Sequence, residues 1–414
     1  MRLLRRDAGE TLRRLARGFR VVVVTGPRQS GKTTLVRATF PDKPYVSLED
    51  PDEREFALED PRGFLARFPR GAVFDEVQRV PELFSYLQGR VDERRTAGEF
   101  ILTGSQHFGL MERITQSLAG RVGILHLLPF ALAELAAAAR FHRAPSRILP
   151  EHGMRSVLPP AWVRRLRSLP EVLFRGLYPP LFFQRVEPAQ WYANYVETYV
   201  ERDLRQLVAV SNLTTFRRFL RMCAARCGQL LNLSGLANDC GISHATAGAW
   251  LTVLEASYLV YRLPPYHVHF GKRLVKTPKL YFYDTGLAAW LLDIRDWRQL
   301  ETHPARGALF ESLLIAEWLK HRFNRAQPAN AYFWRNHVGD EIDLLLDQGG
   351  YLQPVELKSG QTPGGDYFGS LRKWMAWAGA RARHPVVVYG GPRVMEREGV
   401  RLVPWTDWPT GALR

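Results

Sequence analysis

Residues 26–33 read Gly-Pro-Arg-Gln-Ser-Gly-Lys-Thr and follow directly on the apolar run 21–25. That order of strand, glycine loop and lysine constrains the fold more than any other feature of the chain. Glycines let a backbone curl around a phosphate, the loop amides and a helix N-terminus face negative oxygens, a lysine reaches the terminal phosphates, and a hydroxyl serves magnesium. The sequence therefore predicts a phosphate cradle for ATP and Mg2+ built from Gly26, Pro27, Arg28, Gln29, Ser30, Gly31, Lys32, Thr33 and Thr34. A glycine-rich turn with an incidental lysine is the plainer alternative.

Around this loop, short apolar runs at 21–25, 45–48, 71–74, 99–103 and 123–127 are separated by amphipathic stretches, the pattern of a parallel α/β sheet. The run Ala72-Val73-Phe74 ends in Asp75-Glu76. Asp75 is placed to hold magnesium in its outer shell together with Thr33, and Glu76 to orient or deprotonate an attacking water, which points to hydrolysis as well as binding. A further strand ends at Leu102-Thr103-Gly104-Ser105. Ser105 is read there as a sensor of the terminal phosphate, with a simple turn former as the alternative.

Length and composition bound the rest. At 414 residues the chain is long enough for two or three domains, and 46% hydrophobic with 24% charged residues excludes disordered, collagen-like and low-complexity classes. Three cysteines exclude a disulfide scaffold and fit reduced thiols. No apolar run approaches the ~18 residues a membrane span needs, and the arginine-punctuated N-terminus lacks a secretory core. A soluble, non-exported, cytoplasmic protein with no membrane partner is expected. The formal charge is +16, which invites a polyanion, although only eight of the 57 basic residues are lysines and an arginine bias also arises from genome composition. Half of the excess, +8, falls within 131–235. A nucleic-acid groove and a solvated helical face explain that run equally well.

Pattern changes divide the chain into 1–130, the loop-bearing module; 131–227, helical and basic, with helices over 131–139, 160–167 and 191–207; 228–300; and 301–414, which returns to α/β. In 234–246 a small residue stands before the turn glycine Gly241, with Ile242 beneath and Ser243 capping, as in a helix-turn-helix. The second helix, the run 258–263 and a basic hairpin with Lys272, Arg273, Lys276 and Lys279 resemble a winged helix. Apart from His244, Thr246 and Trp250 the exposed face of that helix offers alanine and glycine. Phosphate contact without sequence readout is therefore expected, against a packing module as the alternative. His267 and His269 are read as wing surface, Cys223 and Cys227 lack further soft ligands for zinc, and Trp191, Tyr192, Tyr195 and Tyr199 form a core stripe at helical spacing.

The stretches 26–33, 74–78, 102–105, 117–121 and 307–311 resemble the AAA-type P-loop ATPases that carry a C-terminal domain of unknown function 4143, and the resemblance spans nearly the whole chain. It implies an ATP site comprising Lys32, Thr33, Asp75 and Glu76. Arg121 is similar to the family's post-sensor arginine, acting on its own nucleotide, on a neighbour's in a homo-oligomer, or simply pairing with a carboxylate.

Residues 339–360 read as a two-strand hairpin with Gly349-Gly350 near the turn, Asp343 on the first strand, and Glu356 and Lys358 two apart on one face of the second. Two carboxylates and an ammonium so placed suit a second magnesium site, and the arrangement resembles the restriction-endonuclease-like fold, with Glu311 similar to a helix carboxylate of junction-cleaving members. A proline-aspartate pair is absent; Glu341-Ile342-Asp343 stands instead. An ordinary surface hairpin with cross-strand ion pairs gives the same spacing. The expected function is ATP binding and hydrolysis coupled to DNA binding or remodelling, without sequence preference and with branched DNA among the candidate substrates; the alternative is a nucleotide-dependent switch or scaffold acting on a protein partner, with the C-terminal domain inactive.

Overall fold

Val21–Thr25 is buried along its whole length, which is why it reads as an unbroken apolar run. The computed structural model describes residues 4–105, 118–141, 166–201, 212–266 and 277–412. Strands β1 (Val21–Thr25), β2 (Tyr45–Ser47), β3 (Ala72–Asp75), β4 (Phe100–Gly104) and β5 (Val122–His126) form a parallel sheet in the order β2-β3-β4-β1-β5. They coincide with the five predicted runs to within one residue at each end. Two apolar layers cover the faces: Phe64, Phe74, Phe84 and Phe100 on one, and Leu12, Val22, Val24 and Leu35 on the other. Because β4 lies between β1 and β3, the C-terminal ends of all three open on one crevice, the place where parallel sheets hold ligands.

The middle of the chain is helical. Leu132–Phe141 matches the expected helix over 131–139. The helix predicted over 191–207 is instead Pro188–Tyr195 followed by a π-helical turn, Val196–Glu201; residues 202–207 lie outside the described residues. So do 160–165 of the helix expected over 160–167, while 166–167 form a turn. Trp191, Tyr192, Tyr195 and Tyr199 are buried in the main core, as a stripe at that spacing should be.

Leu233–Cys240 and His244–Ala256 are capped by Asn232 and Ser243, and Gly241 between them adopts φ +67°, a left-handed turn that favours glycine. They pack with Leu213–Ala225 as three helices, followed by a two-stranded sheet of β6 (Val260–Leu263) and β7 (Lys279–Phe282). Two expectations are corrected here. Trp250 is buried edge-on against Phe216 and Phe219, because an indole on the inner face of three packed helices gains more from burial than from solvent. Lys279 is 4% exposed and pairs with Glu341, so it belongs to the interior and not to an outer wing. His267, His269, Lys272, Arg273 and Lys276 lie outside the described residues.

The C-terminal module is a mixed sheet of β8 (Ala331–Arg335), β9 (Glu341–Asp347), β10 (Leu352–Lys358), β11 (Val386–Tyr389), β12 (Met395–Arg397) and β13 (Val400–Pro404), ordered β12-β13-β11-β10-β9-β8. β9 and β10 are antiparallel neighbours, and β10, β11 and β13 run parallel. The 18-residue helix Arg306–Phe323 lies against β10, and its apolar side belongs to the same core cluster as the middle helices. The overall class is α/β: a parallel P-loop-type sheet, a helical middle and a C-terminal mixed sheet. Among the described residues no helix is long and apolar enough to cross a membrane.

Candidate functional site

The loop after β1 is shaped by close packing. A Cβ on Gly26 would lie 2.1 Å from the Leu127 carbonyl oxygen, and Gly31 sits at φ +94°. Gly31 is also the N-cap of the helix Lys32–Thr39, whose first turn no side chain caps, so its amides stay available to an anion. Pro27 and Ser30 are buried; the Ser30 hydroxyl has no hydrogen-bond partner. Arg28 lies over the Tyr199 ring at 5.5 Å, while Gln29 and Thr34 are exposed.

Lys32 folds back into the loop and donates to the Gly26 and Pro27 carbonyls at 3.0 and 2.9 Å. Burial pushes its ammonium down to about 8, against the pull of Glu76 and Asp75. Thr33 Oγ1 donates to Asp75 Oδ2 at 2.8 Å. The same oxygen accepts from Tyr45 at 2.7 Å, and Asp75 Oδ1 accepts from Thr103. A hydroxyl and a carboxylate meeting beside a lysine form the hard-oxygen donor set that a magnesium nucleotide requires. With the glycine-shaped cradle, the residues present fit ATP and Mg2+.

Glu76 begins a short 3₁₀ turn in left-handed conformation, φ +55°, a costly state for a residue with a Cβ. Ser105 Oγ donates to Glu76 Oε2 at 2.9 Å, and Gln78 donates to the same oxygen. The strand ends thus bring Lys32, Thr33, Asp75, Glu76 and Ser105 into one crevice. Tyr45, Thr103 and Gln78 escape a sequence reading, although Thr103 and Gln78 stand within stretches already singled out.

Arg121 does not join them. It precedes β5, whose Val122 pairs with Val21, so it lies at the opposite end of the sheet, about 15–20 Å from the loop along the strands. Its guanidinium makes a two-pronged ion pair with Asp92 (2.5 and 2.8 Å). Of the three roles open to Arg121, that distance removes service to its own chain's nucleotide, and the pairing with a carboxylate is the one seen here. Ser117, which opens the stretch quoted for this resemblance, lies outside the described residues.

The C-terminal carboxylates occupy a second, separate cluster. Lys358 Nζ lies 2.7 Å from Glu356 Oε2 and 3.6 Å from Asp343 Oδ2. Asp343 Oδ2 accepts from the Leu357 amide at 2.9 Å, and Glu311 accepts from Tyr281 at 2.8 Å. Burial and the neighbouring Asp343 carboxylate push Glu311 up to about 7. Among the described residues no three of His, Cys, Asp and Glu converge as metal donors. The expected second magnesium site at Glu311, Asp343 and Glu356 gains no support from this placement. The Lys358 ammonium lies between Glu356 and Asp343 and supplies the positive charge there.

Residues 18–136 match the family described as AAA domain, 166–298 match a domain of unknown function (DUF8612), and 306–408 match a domain of unknown function (DUF4143). Uncharacterized proteins of Mycobacterium tuberculosis and Mycobacterium bovis are each 31% identical over 364 residues, 88% of this chain and 76% of theirs. Among solved structures, a Walker-type ATPase of Pyrococcus abyssi superposes with TM-score 0.43 and 16% identity over 70% of this chain and 96% of that one. The Thermotoga maritima RuvB Holliday junction branch migration motor does so with TM-score 0.29 and 16% identity over 62% and 88%. The 31% identity over 88% of the chain and the domain matches at either end agree: the chain belongs to the family of AAA-type P-loop ATPases that carry a C-terminal domain of unknown function (DUF4143).

Proposed function

We propose that the chain binds ATP with magnesium at the loop 26–34, hydrolyses it, and couples hydrolysis to the grip on DNA. The observation that carries the catalytic half is the contact of Thr33 with Asp75 beside the buried Lys32. Lys32 exchanges its two carbonyl partners for phosphate oxygens when nucleotide enters. Thr33 and Asp75 would hold the magnesium, and the bound ion would supply positive charge to the phosphate oxygens. Glu76 Oε2, released from Ser105 and Gln78, orients the attacking water and takes its proton.

The DNA half is supported by charge and shape. Arg217, Arg218 and Arg221 are exposed on Leu213–Ala225, and His244 is exposed at the start of the second helix of the helix-turn-helix. Few base-reading groups accompany them, which suits phosphate contact without sequence preference. A homo-oligomer in which Arg121 reaches a neighbour's nucleotide belongs to the same reading; turnover per chain that rises with protein concentration is its test. The rival reading, a nucleotide-timed switch or scaffold for a protein partner, gains from the burial of Lys279 and Trp250, which removes two groups from the DNA-facing surface. ATP turnover measured with single-stranded, duplex and branched DNA over a salt series separates the two. Stimulation that falls steeply with salt is expected, and no stimulation at low salt by any of the three would favour the protein partner.

A further inference from the structure

Five consecutive residues on the chain leaving β5 each give a backbone group to a buried charged side chain. On one side stands Arg6, 8% exposed and lying over the Phe130 ring at 5.0 Å. Its Nη2 donates to the Leu128 and Pro129 carbonyls at 2.7 and 3.3 Å, its Nε to both oxygens of Glu134, and its Nη1 to the Ser30 carbonyl of the phosphate loop at 2.7 Å. Glu134 in turn accepts the Ala131 amide at 2.9 Å. On the other side stand Glu317 and Lys320 of the helix Arg306–Phe323, both at most 2% exposed. Glu317 Oε2 accepts the Leu132 amide at 2.8 Å, and Lys320 donates to the Phe130 carbonyl at 2.9 Å and to Glu317 Oε1 at 2.7 Å. Six residues earlier on the same helix, about 9 Å along its axis, Glu311 enters the cluster of Tyr281, Lys279, Asp343 and Lys358.

We propose that this helix couples the phosphate loop to the C-terminal carboxylate cluster, through Ser30, Arg6, the 128–132 segment, Glu317 and Lys320. The inference rests on the reading of the loop as a nucleotide site. The two-state element is the loop itself. Lys32 holds the Gly26 and Pro27 carbonyls now and must release them to reach phosphate, which frees the backbone between Pro27 and Gly31 to shift. Ser30 lies within that span, and its carbonyl is tied to a guanidinium whose other nitrogens are all engaged. A shift of Ser30 therefore moves Arg6, or costs it a buried hydrogen bond. Past the 128–132 segment the motion meets an 18-residue, largely buried helix, whose close packing passes displacement along its axis. Coupling of this kind is reciprocal: what happens at Glu311 must alter nucleotide affinity by the factor with which nucleotide alters the cluster.

Hydrogen–deuterium exchange on the full-length chain, with and without ADP and magnesium, reads both ends at once. The expected result is altered exchange at 26–34 and also at 306–323 and 352–358. In the double variant Glu317→Gln/Lys320→Met, which removes both buried charges together and so avoids stranding one, the change at the loop persists and the change at 306–323 and 352–358 disappears. Reciprocally, Glu311→Gln is expected to shift the ADP dissociation constant by about fivefold or more in the wild-type background and to leave it unshifted in the double variant. Altered exchange confined to 26–34 in the wild type would overturn the coupling, as would distant changes that survive in the double variant. Unaltered exchange at 26–34 itself would instead overturn the reading of the loop, and the coupling with it. If the double variant fails to fold, the wild-type exchange pattern and the effect of Glu311→Gln on ADP affinity still decide the matter.

Discussion

Thr33 Oγ1 donates to Asp75 Oδ2 at 2.8 Å although 42 residues separate them, joining the first turn of the loop helix to the end of β3. β4, inserted between β1 and β3, brings Thr103 to the other carboxylate oxygen, and β2 on the far side brings Tyr45, so that Asp75 is gripped from both neighbouring strands. A carboxylate fixed on two sides cannot rotate away when a cation approaches, and such preorganisation is what a phosphate site needs.

Removal of Thr103 tests that grip. Thr103 is fully buried, and Thr103→Val keeps its shape while leaving Asp75 Oδ1 without its donor. A loss of about 1–3 kcal/mol in unfolding free energy is expected, together with reduced turnover at unchanged nucleotide affinity. Denaturant titration and steady-state kinetics check both halves.

The lysine gives a pH signature. Burial, the largest influence on Lys32, lowers its folded value to about 8 from 10.5, and phosphate favours the charged form. Below about pH 7 the ammonium is already present and affinity should be flat. Above about 8 the free chain must take up a proton on binding, so affinity should fall by up to about tenfold per pH unit. A profile flat to pH 10 would exclude Lys32 as the phosphate ligand. For the nucleotide-free fold the sign is opposite: the cost of the buried charge is relieved as pH rises from 8 to 10.5, and stability gains over that window.

Glu311 carries the corresponding carboxyl signature. Burial first and Asp343 second raise it to about 7 from 4.5, so ionisation costs the fold stability progressively as pH rises from 4.5 through 7. Glu311→Gln should match the wild type near pH 5 and exceed it at pH 8 by on the order of 1–3 kcal/mol. Thermal unfolding of the pair across pH measures the difference.

Much of the fold was legible because strands buried on both faces must be apolar throughout, as in Val21–Thr25 and Phe100–Gly104. The cradle was legible because its geometry is local, eight residues long and dependent on Gly26 and Gly31. What the sequence hid depends on registration between distant segments. Tyr45 reaches Asp75 only because β2 pairs with β3 so that Ser47 lies opposite Asp75, and Arg6 reaches Ser30 from a segment without any motif. Of the roles open to Arg121, its own chain's nucleotide is removed by a signal the sequence does contain: the residue stands before its strand, and in a parallel sheet that puts it at the end away from the loop, where it pairs with Asp92. Lys279 and Trp250 were assigned to a surface because spacing alone does not say which face of an element a neighbouring module covers.

Gly26→Ala probes the cradle without touching a charge. Its new Cβ would overlap the Leu127 carbonyl oxygen, a backbone atom that itself accepts no such approach, so the loop must move. Nucleotide affinity should fall at least about tenfold while the far-ultraviolet circular dichroism of the chain is retained. Isothermal titration with ADP and magnesium gives the comparison.

The central claim is that Lys32 grips the triphosphate and Glu76 delivers the water that cleaves it. Single-turnover ATP hydrolysis and direct ATP titration, run side by side on the wild type, Lys32→Ala and Glu76→Gln, address it most directly. The account predicts no binding for Lys32→Ala, and wild-type affinity with hydrolysis slowed about 10²–10⁴-fold for Glu76→Gln. Undiminished hydrolysis by Glu76→Gln, or ATP bound normally by Lys32→Ala, would contradict it.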